Sequence, residues 1–549
     1  MKHFYLVVIG LVLSTFSASA QTDIPKGWHL LDVKQDSFYG ISLNKAYQFL
    51  QAKKIKTTTV TVAVLDSGVD TLQEDLQPVL WHNPKEIPNN NIDDDKNGYV
   101  DDYYGWNFLG NKNGESLVTT TKETVRFYHQ YKDEFGGKQI DTLKLSAKEK
   151  YRYQVWKQAA EDLNISTDKE LELSLTLIAL KSIKNCDSIL RNEMNVEEYT
   201  AAQLEKYEPK TNESKRSKLN YITTLQILQI DLDEKNTSII NQLEEYITTQ
   251  KKEFEGKESK PTNYRKDIIK DDYNNIKDKF YGNKNVTASN SMHGTHVAGI
   301  IAAKRNNNMG IDGIADNVKL MPIRVVPDGD EYDKDIALAI FYAVDNGAKV
   351  INMSFGKEIS PEKYWVDSAI KYAASKDVLL VHAAGNDSED NDTTNNFPSP
   401  MYQNKISQAR NFITVGASTD PKISGGGFVA DFSNYGKHSV DVFAPGVKIY
   451  STVLGVSNYS NQKGTSMAAP VVAGVAALLR SYFPKLTAIQ TKNIIEKSVF
   501  RPNEDNEIQV SLFGMKVDRL KLKDACTTGG IVNAAKAVEL AYKELGFRN

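Results

Sequence analysis

Residues 60–68 read VTVAVLDSG. Six apolar or β-branched residues in a row, without polar alternation, read as a strand buried on both faces. Asp66, Ser67 and Gly68 end it. Similar short runs recur at 318–326 (VKLMPIRVV), 348–353 (AKVINM), 378–384 (VLLVHAA), 412–416 and 439–443. Between them, 334–346 and 364–375 carry apolar residues at helical spacing. Strands alternating with helices predict an α/β unit with a largely parallel sheet. Such sheets place ligands outside the carboxyl ends of their strands, which is where Asp66 stands. A carboxylate at that point also fits the capping of the next turn.

The 549 residues are 40% hydrophobic and 25% charged, enough apolar material for packed cores and too much for general disorder. Lys and Arg number 67 against 70 Asp and Glu, a net charge of −3. That balance provides no electrostatic footprint for nucleic acid. Two cysteines, Cys186 and Cys526, exclude a disulfide-stapled scaffold.

The N-terminus reads as an export address. Lys2 and His3 precede the apolar run 4–13, and Ala18-Ser19-Ala20 closes it. This is the pattern of a signal peptide over residues 1–20. The run is too short for a membrane span, which needs ~20 apolar residues. No later segment is apolar enough to span, so the expected product is exported, periplasmic or extracellular, with no stable membrane span after signal cleavage.

The middle of the chain changes texture. From 138 to 254 there is no glycine and Pro209 is the only proline, where 33 glycines in 549 residues would average about seven. Segments 146–163, 169–192 and 218–254 carry the pattern of long amphipathic helices. Residues 111–287 are therefore read as a helical insertion, a hairpin or bundle. It divides the α/β unit into 21–110 and 288–549. Its role is open between a solvated spacer and a lid or partner-binding arm.

Two further motifs join the first. Residues 292–299 (MHGTHVAG) place His293 at the start of a small-residue helix. His293 and His296 are spaced for a weak metal pair, but the Glu of a zinc-protease helix is missing. Residues 464–470 (GTSMAAP) put Ser466 at the start of an apolar helix. There the positive end of the helix dipole favours the oxyanion formed when a serine attacks a carbonyl. Alone, Ser466 would read as a helix cap. Together the three supply an acid, a base and a nucleophile in the chain order Asp, His, Ser.

The motifs resemble those of the subtilisin-like serine proteases. The matching blocks are VAVLDSGVD around Asp66, HGTHVAGIIAA from His293 and GTSMAAPVVAGVAALL around Ser466. VINMSFG (350–356), AAGND (383–387), FSNYG (432–436) and VDVFAPG (440–446) also match. The resemblance implies a three-layer α/β domain with a mostly parallel sheet, interrupted by the helical insertion. It implies an exported serine endopeptidase acting on polypeptides, with no cofactor required for the chemistry. Ser466 would be the nucleophile, His293 the base and Asp66 its orienter. Asn386 would complete the oxyanion hole, and Ser354, Phe355 and Gly356 would form a substrate-binding edge. Residues 327–333 take the place of the opposite edge but depart from its usual Gly-rich form. The alternative is a restricted or inactive protein on this fold that binds or processes one dedicated protein partner through its helical arm. Relatives often carry an N-terminal folding domain, and residues 21–59 leave no room for one of ordinary size.

Residues 91–102 (NIDDDKNGYVDD) alternate acids like the start of a calcium loop. Asp93, Asp95, Asn97 and Asp101 are the candidate ligands, with Gly98 at the turn. The twelfth position, Tyr104, lacks the bidentate Glu, so a partial calcium site and a plain acidic turn both fit.

Overall fold

The computed structural model describes residues 24–547, apart from 164–166, 229, 231, 233, 257–258, 425, 457, 504–510, 513–514 and 517–519. The signal-peptide reading of residues 1–20 lies outside the described residues. Seven strands form one sheet: β1 (Val60–Asp66), β2 (Trp106–Asn107), β3 (Val318–Arg324), β4 (Val350–Met353), β5 (Leu379–Ala383), β6 (Phe412–Ser418) and β7 (Val442–Pro445). Their order is β2-β3-β1-β4-β5-β6-β7, and every pairing is parallel. β8 (Ile449–Thr452) and β9 (Tyr459–Gln462) make a separate antiparallel pair.

The sheet is covered on both faces, as an all-parallel sheet must be. On β1, Val60, Val62 and Val64 enter one core while Ala63 and Leu65 enter the other. Each such Val or Leu gains ~1.5–3 kcal/mol over exposure, so an unbroken apolar strand is what two-sided burial selects. The run expected at 439–443 forms its strand later, from Val442. Asp441 instead uses its carboxylate to accept the Thr414 N–H at 2.7 Å.

α1 (Leu43–Ala52) precedes β1. Between β2 and β3, among the described residues, come α2 (Glu123–Phe135), α3 (Ala147–Asp162), α4 (Thr167–Met194), α5 (Ala201–Lys206), α6 (Asn212–Ile227), α7 (Asn236–Gly256), α8 (Tyr264–Ile268) and α9 (Met292–Ala302). The rest are α10 (Asp333–Asp345), α11 (Lys363–Ser375), the one-turn α12 (Pro421–Ser424), α13 (Thr465–Tyr482), α14 (Ala488–Lys497), the one-turn α15 (Leu522–Ala525) and α16 (Ala534–Glu544). Helices α1, α9, α13, α14 and α16 cover one face of the sheet, and α10 and α11 cover the other.

The long helix expected at 218–254 is two helices, α6 and α7. Leu225 and Ile239 share one small core with Ile183 and Leu190 of α4. A continuous helix would hold the first two ~21 Å apart at 1.5 Å per residue, so the chain must reverse between them. A second cluster joins Phe127, Phe135, Val155, Trp156 and Ala159 to Ile359, which follows β4. Leu117, Ile269 and Tyr281 pack into the core of the sheet itself. The helical segment is thus rooted in the α/β unit at both ends and has its own core only in the middle. Cys186 and Cys526 are both buried, in different clusters, and unpaired.

Candidate active site

The sheet winds from β1 toward β3 and β2 on one side and toward β4 and its successors on the other. A reversal of this kind opens a crevice at the carboxyl ends of the strands. The register pairs Leu65 with Met353 and Met353 with His382. Asp66, the segment 354–356 and the segment 384–386 therefore leave the sheet side by side.

Asp66 is fully buried. Its Oδ1 accepts the Ser67 N–H at 2.7 Å and His293 Nδ1 at 2.7 Å. Helix α9 can come this close because residue 294 is glycine: a Cβ there would stand 2.1 Å from the Gly68 carbonyl oxygen. His293 is about one-third exposed, at 37% of its side chain. Burial pulls its pKa down, but the Asp66 carboxylate and the hydrogen bond outweigh this and raise it above the usual 6.5. With Nδ1 as donor, Nε2 is left as the acceptor that a general base needs. His296 serves a different purpose. It is buried with Nε2 against the Ser460 carbonyl at 3.1 Å, and burial lowers its pKa to about 3. The two imidazoles do not converge on a metal.

Ser466 is the second residue of α13. Gly464 precedes the helix with φ 148°, a conformation that favours glycine. The Ser466 N–H belongs to the first turn, whose donors have no intrahelical acceptor. Pro470 lies inside the helix and has no N–H to return to the Ser466 carbonyl. The Ser354 hydroxyl replaces it, donating to that carbonyl at 2.8 Å. In return the Ser466 hydroxyl donates to the Ser354 carbonyl at 3.1 Å. Sequence reasoning assigned Ser354 to substrate binding and missed this support. The signal was present as a proline four residues after the serine.

Asn386 stands on the same rim. Its Oδ1 accepts from Thr465 twice, from N–H at 2.8 Å and from Oγ1 at 3.0 Å. That fixes which end of the amide remains free to donate. A Cβ on Gly464 would stand 3.6 Å from the Ser466 nitrogen and 3.7 Å from both Nδ2 and Oδ1 of Asn386, so the amide lies beside the start of α13.

Phe355 is buried and its carbonyl accepts His382 Nε2 at 2.7 Å. Gly356 and Phe355 line a cavity of about 730 Å³ together with Asn386 and Ser466. Leu163, Tyr246 and Gln250, all from the helical segment, line it too. The opposite edge also meets that segment. Asp328 donates its N–H to the Val118 carbonyl at 2.7 Å and accepts the Thr120 N–H at 2.8 Å.

The four calcium candidates do not converge. Asp93 closes its own turn, accepting the Asn97 N–H at 3.0 Å and the Gly98 N–H at 2.8 Å. Asp101 accepts the N–H groups of Asn90 and Asn91 and pairs with Lys284 at 2.8 Å. Asn97 accepts the Tyr99 N–H at 2.7 Å. Only Asp95 faces other carboxylates, and those lie outside the expected set. The acid-rich pattern was legible, but backbone N–H groups in a tight turn claim the same oxygens.

The sequence model of the subtilase family matches residues 57–516. The chain is 44% identical over 190 residues to a thermophilic serine proteinase of Bacillus sp. (strain AK1), covering 34% of this chain and 42% of that protein. It is 40% identical over 203 residues to thermitase of Thermoactinomyces vulgaris, covering 37% of this chain and 66% of the relative. A solved protease structure from Pseudoalteromonas arctica is 31% identical, with 45% of this chain and 70% of that chain covered and a TM-score of 0.35. The matched region spans less than half of the first relative and about two thirds of the second.

Proposed function

The chain belongs to the subtilase family, and on that premise we propose that it is an exported serine endopeptidase. His293 Nε2 takes the proton of Ser466 as its oxygen attacks the peptide carbonyl. The imidazolium, held by Asp66, then protonates the leaving amine. The developing oxyanion is bound by the Ser466 N–H and the Asn386 amide. Water repeats the sequence to release the acyl group. No cofactor takes part in these steps. The observation that carries the reading is the 2.7 Å bond between His293 Nδ1 and buried Asp66. It orients a base with a raised pKa at the strand ends where Ser354 ties down Ser466.

The test is casein hydrolysis by the purified protein, with and without a sulfonyl fluoride or phosphonate directed at serine. Activity that the reagent abolishes, and that Ser466→Ala lacks, is expected. Equal hydrolysis by wild type and Ser466→Ala would overturn the reading. Export by the signal at residues 1–20 is checked by the mass of the mature chain, expected to begin at Gln21.

A second reading concerns breadth of substrate. Tyr246, Gln250 and Leu163 share the cavity with Ser466, which supports a helical arm that restricts entry to the cleft. Tyr246→Ala is then expected to raise kcat/KM for folded proteins more than for short peptide esters. An equal effect on both would remove the gating role.

A further inference from the structure

The cleft of the proposed enzyme has two edges, 354–356 and 327–333, and the second already carries a stretch of this chain. Residues 118–126, which lead into the helical segment, lie along it. The Val118 carbonyl accepts the Asp328 N–H at 2.7 Å and the Thr120 N–H donates to the Asp328 carbonyl at 2.8 Å, a parallel bridge centred on Thr119. The Thr120 and Tyr332 hydroxyls share a hydrogen bond at 3.0 Å. The Glu123 N–H donates to Asp330 Oδ2 at 2.7 Å. Arg126 closes the run. It donates to the carbonyls of Asp330 and Glu331 at 3.1 and 3.3 Å, and its guanidinium lies 4.1 Å from the centre of the Tyr332 ring.

The same stretch reaches the other side of the cleft. Lys122 Nζ stands 3.4 Å from Glu358, and Glu123 pairs with Lys357 Nζ at 2.9 Å. Lys122 and Thr124 line the cavity that Ser466 shares with Phe355 and Gly356. The segment therefore crosses from one edge to the other. Thr120 and Glu123 are both buried. Lifting the segment would break the buried pair between Glu123 and Lys357, which opposes displacement by a substrate. An extended peptide adds to a sheet edge through unpaired N–H and C=O groups. At Asp328 both are taken by the chain itself.

We infer that residues 118–126 are a resident strap on the 327–333 edge, so that a substrate adds its backbone to the 354–356 edge alone. This rests on the proposed peptidase mechanism, in which His293 meets the leaving amine and the acyl half of the substrate lies in the cavity beside Phe355 and Gly356. Recognition is then concentrated in the residues next to the scissile bond. Further residues on the acyl side find no second edge to pair with and add little. Thr120 and Arg126 set this specificity, because they hold the strap to Asp328, Asp330 and Glu331.

The test uses the full-length protein and peptidyl aminocoumarins with one, two, three and four residues before the leaving group. Wild-type kcat/KM is expected to level off beyond two residues. Thr120→Pro removes the N–H that the Asp328 carbonyl accepts, and Arg126→Leu removes the tie to Asp330 and Glu331. In both variants the four-residue substrate should gain about tenfold over the two-residue one, through KM, because two backbone hydrogen bonds become available. A gain of that size in the wild type, or a flat series in the folded variants, would overturn the inference. Should neither variant melt cooperatively, amide hydrogen exchange in the wild type decides. The Thr120 and Asp328 amides are expected to stay protected when a four-residue peptide phosphonate is bound at Ser466, and loss of their protection refutes the strap. Cleavage of no substrate in the series, the shortest included, would instead remove the peptidase reading and the strap's role with it.

Discussion

Ser354 and Ser466 hold each other by reciprocal hydrogen bonds. The Ser354 hydroxyl donates to the Ser466 carbonyl at 2.8 Å, and the Ser466 hydroxyl donates to the Ser354 carbonyl at 3.1 Å. The first bond fills the place that Pro470 leaves without a donor. The second gives the hydroxyl of Ser466, the proposed nucleophile, a resting position on the strand exit. Ser354→Ala leaves a partly buried carbonyl without a partner and is expected to cost about 1–2 kcal/mol of stability. It should lower kcat more than it raises KM, with Ser354→Thr restoring part of both. Urea melts and steady-state kinetics on one peptide substrate check this; an unchanged kcat would show that the bond does not position Ser466.

Replacing Asp66 by Asn keeps the shape and removes the charge that favours the imidazolium. A drop of about 10⁴ in kcat is expected, because the amide favours the wrong imidazole tautomer. The pH profile carries the sign. Wild-type His293 must lose its proton to act as base, so activity falls as pH drops through its raised pKa, placing the acid limb above 6.5. In Asp66→Asn the residual activity should have an acid limb at lower pH. Conversely, the Asp66–imidazolium interaction stabilises the fold fully below the unfolded pKa and is lost as pH rises through the folded one.

On the proposed mechanism Asn386→Ala should reduce kcat by about 10²–10³ with little change in KM, since its amide would bind charge that exists only in the transition state. Asn386→Asp is expected to be at least as damaging, because a carboxylate would face the oxyanion. A rise in KM without a fall in kcat would place Asn386 in ground-state binding instead.

Lys357 is fully buried between the two parts of the chain. Its Nζ lies 2.9 Å from Glu123 of α2, 2.9 Å from Asp333 of α10 and 3.0 Å from the Glu331 carbonyl. Lys357→Met leaves buried Asp333 without its cation, while Glu123 keeps Arg126 at 2.9 Å, and is expected to cost about 3 kcal/mol. Thermal melting reads the loss. Limited proteolysis should then cut within 111–126, where α2 is anchored to the cleft edge.

Glu331 is a buried carboxyl with one oxygen unpartnered, and burial lifts its pKa to about 8 against 4.5 for the free group. Between those values the native state holds a proton that the unfolded chain releases, so stability falls as pH rises from 4.5 to about 8. Glu331→Gln has no proton to lose. Its denaturation free energy should decline less than the wild type's between those two pH values, and parallel declines would refute the assignment.

The α/β class was readable from strand runs such as 60–65 because burial on both faces leaves no room for polar alternation. The helix starts at His293 and Ser466 were readable because small residues and glycines mark close packing. Less was legible in the helical segment. The break between α6 and α7 follows from where Leu225 and Ile239 must meet Ile183, a contact between residues far apart in sequence. The acid-rich loop misled for a related reason. Spacing showed which carboxylates were near one another in the chain, while Glu86 and Asp102 become neighbours only when the loop folds.

By itself, then, the sequence determined the residue types, their order and the element that carries each one. Asp66 ends a buried strand and Ser466 opens an apolar helix whatever the rest of the chain does, because local pattern and helix geometry dictate both. Tertiary structure decided the partnerships. It set Ser354 under Ser466, brought Tyr246 to the cleft and turned Lys357 into the bridge between α2 and α10. Such contacts depend on where separate elements come to rest against one another, and no periodicity along the chain encodes that.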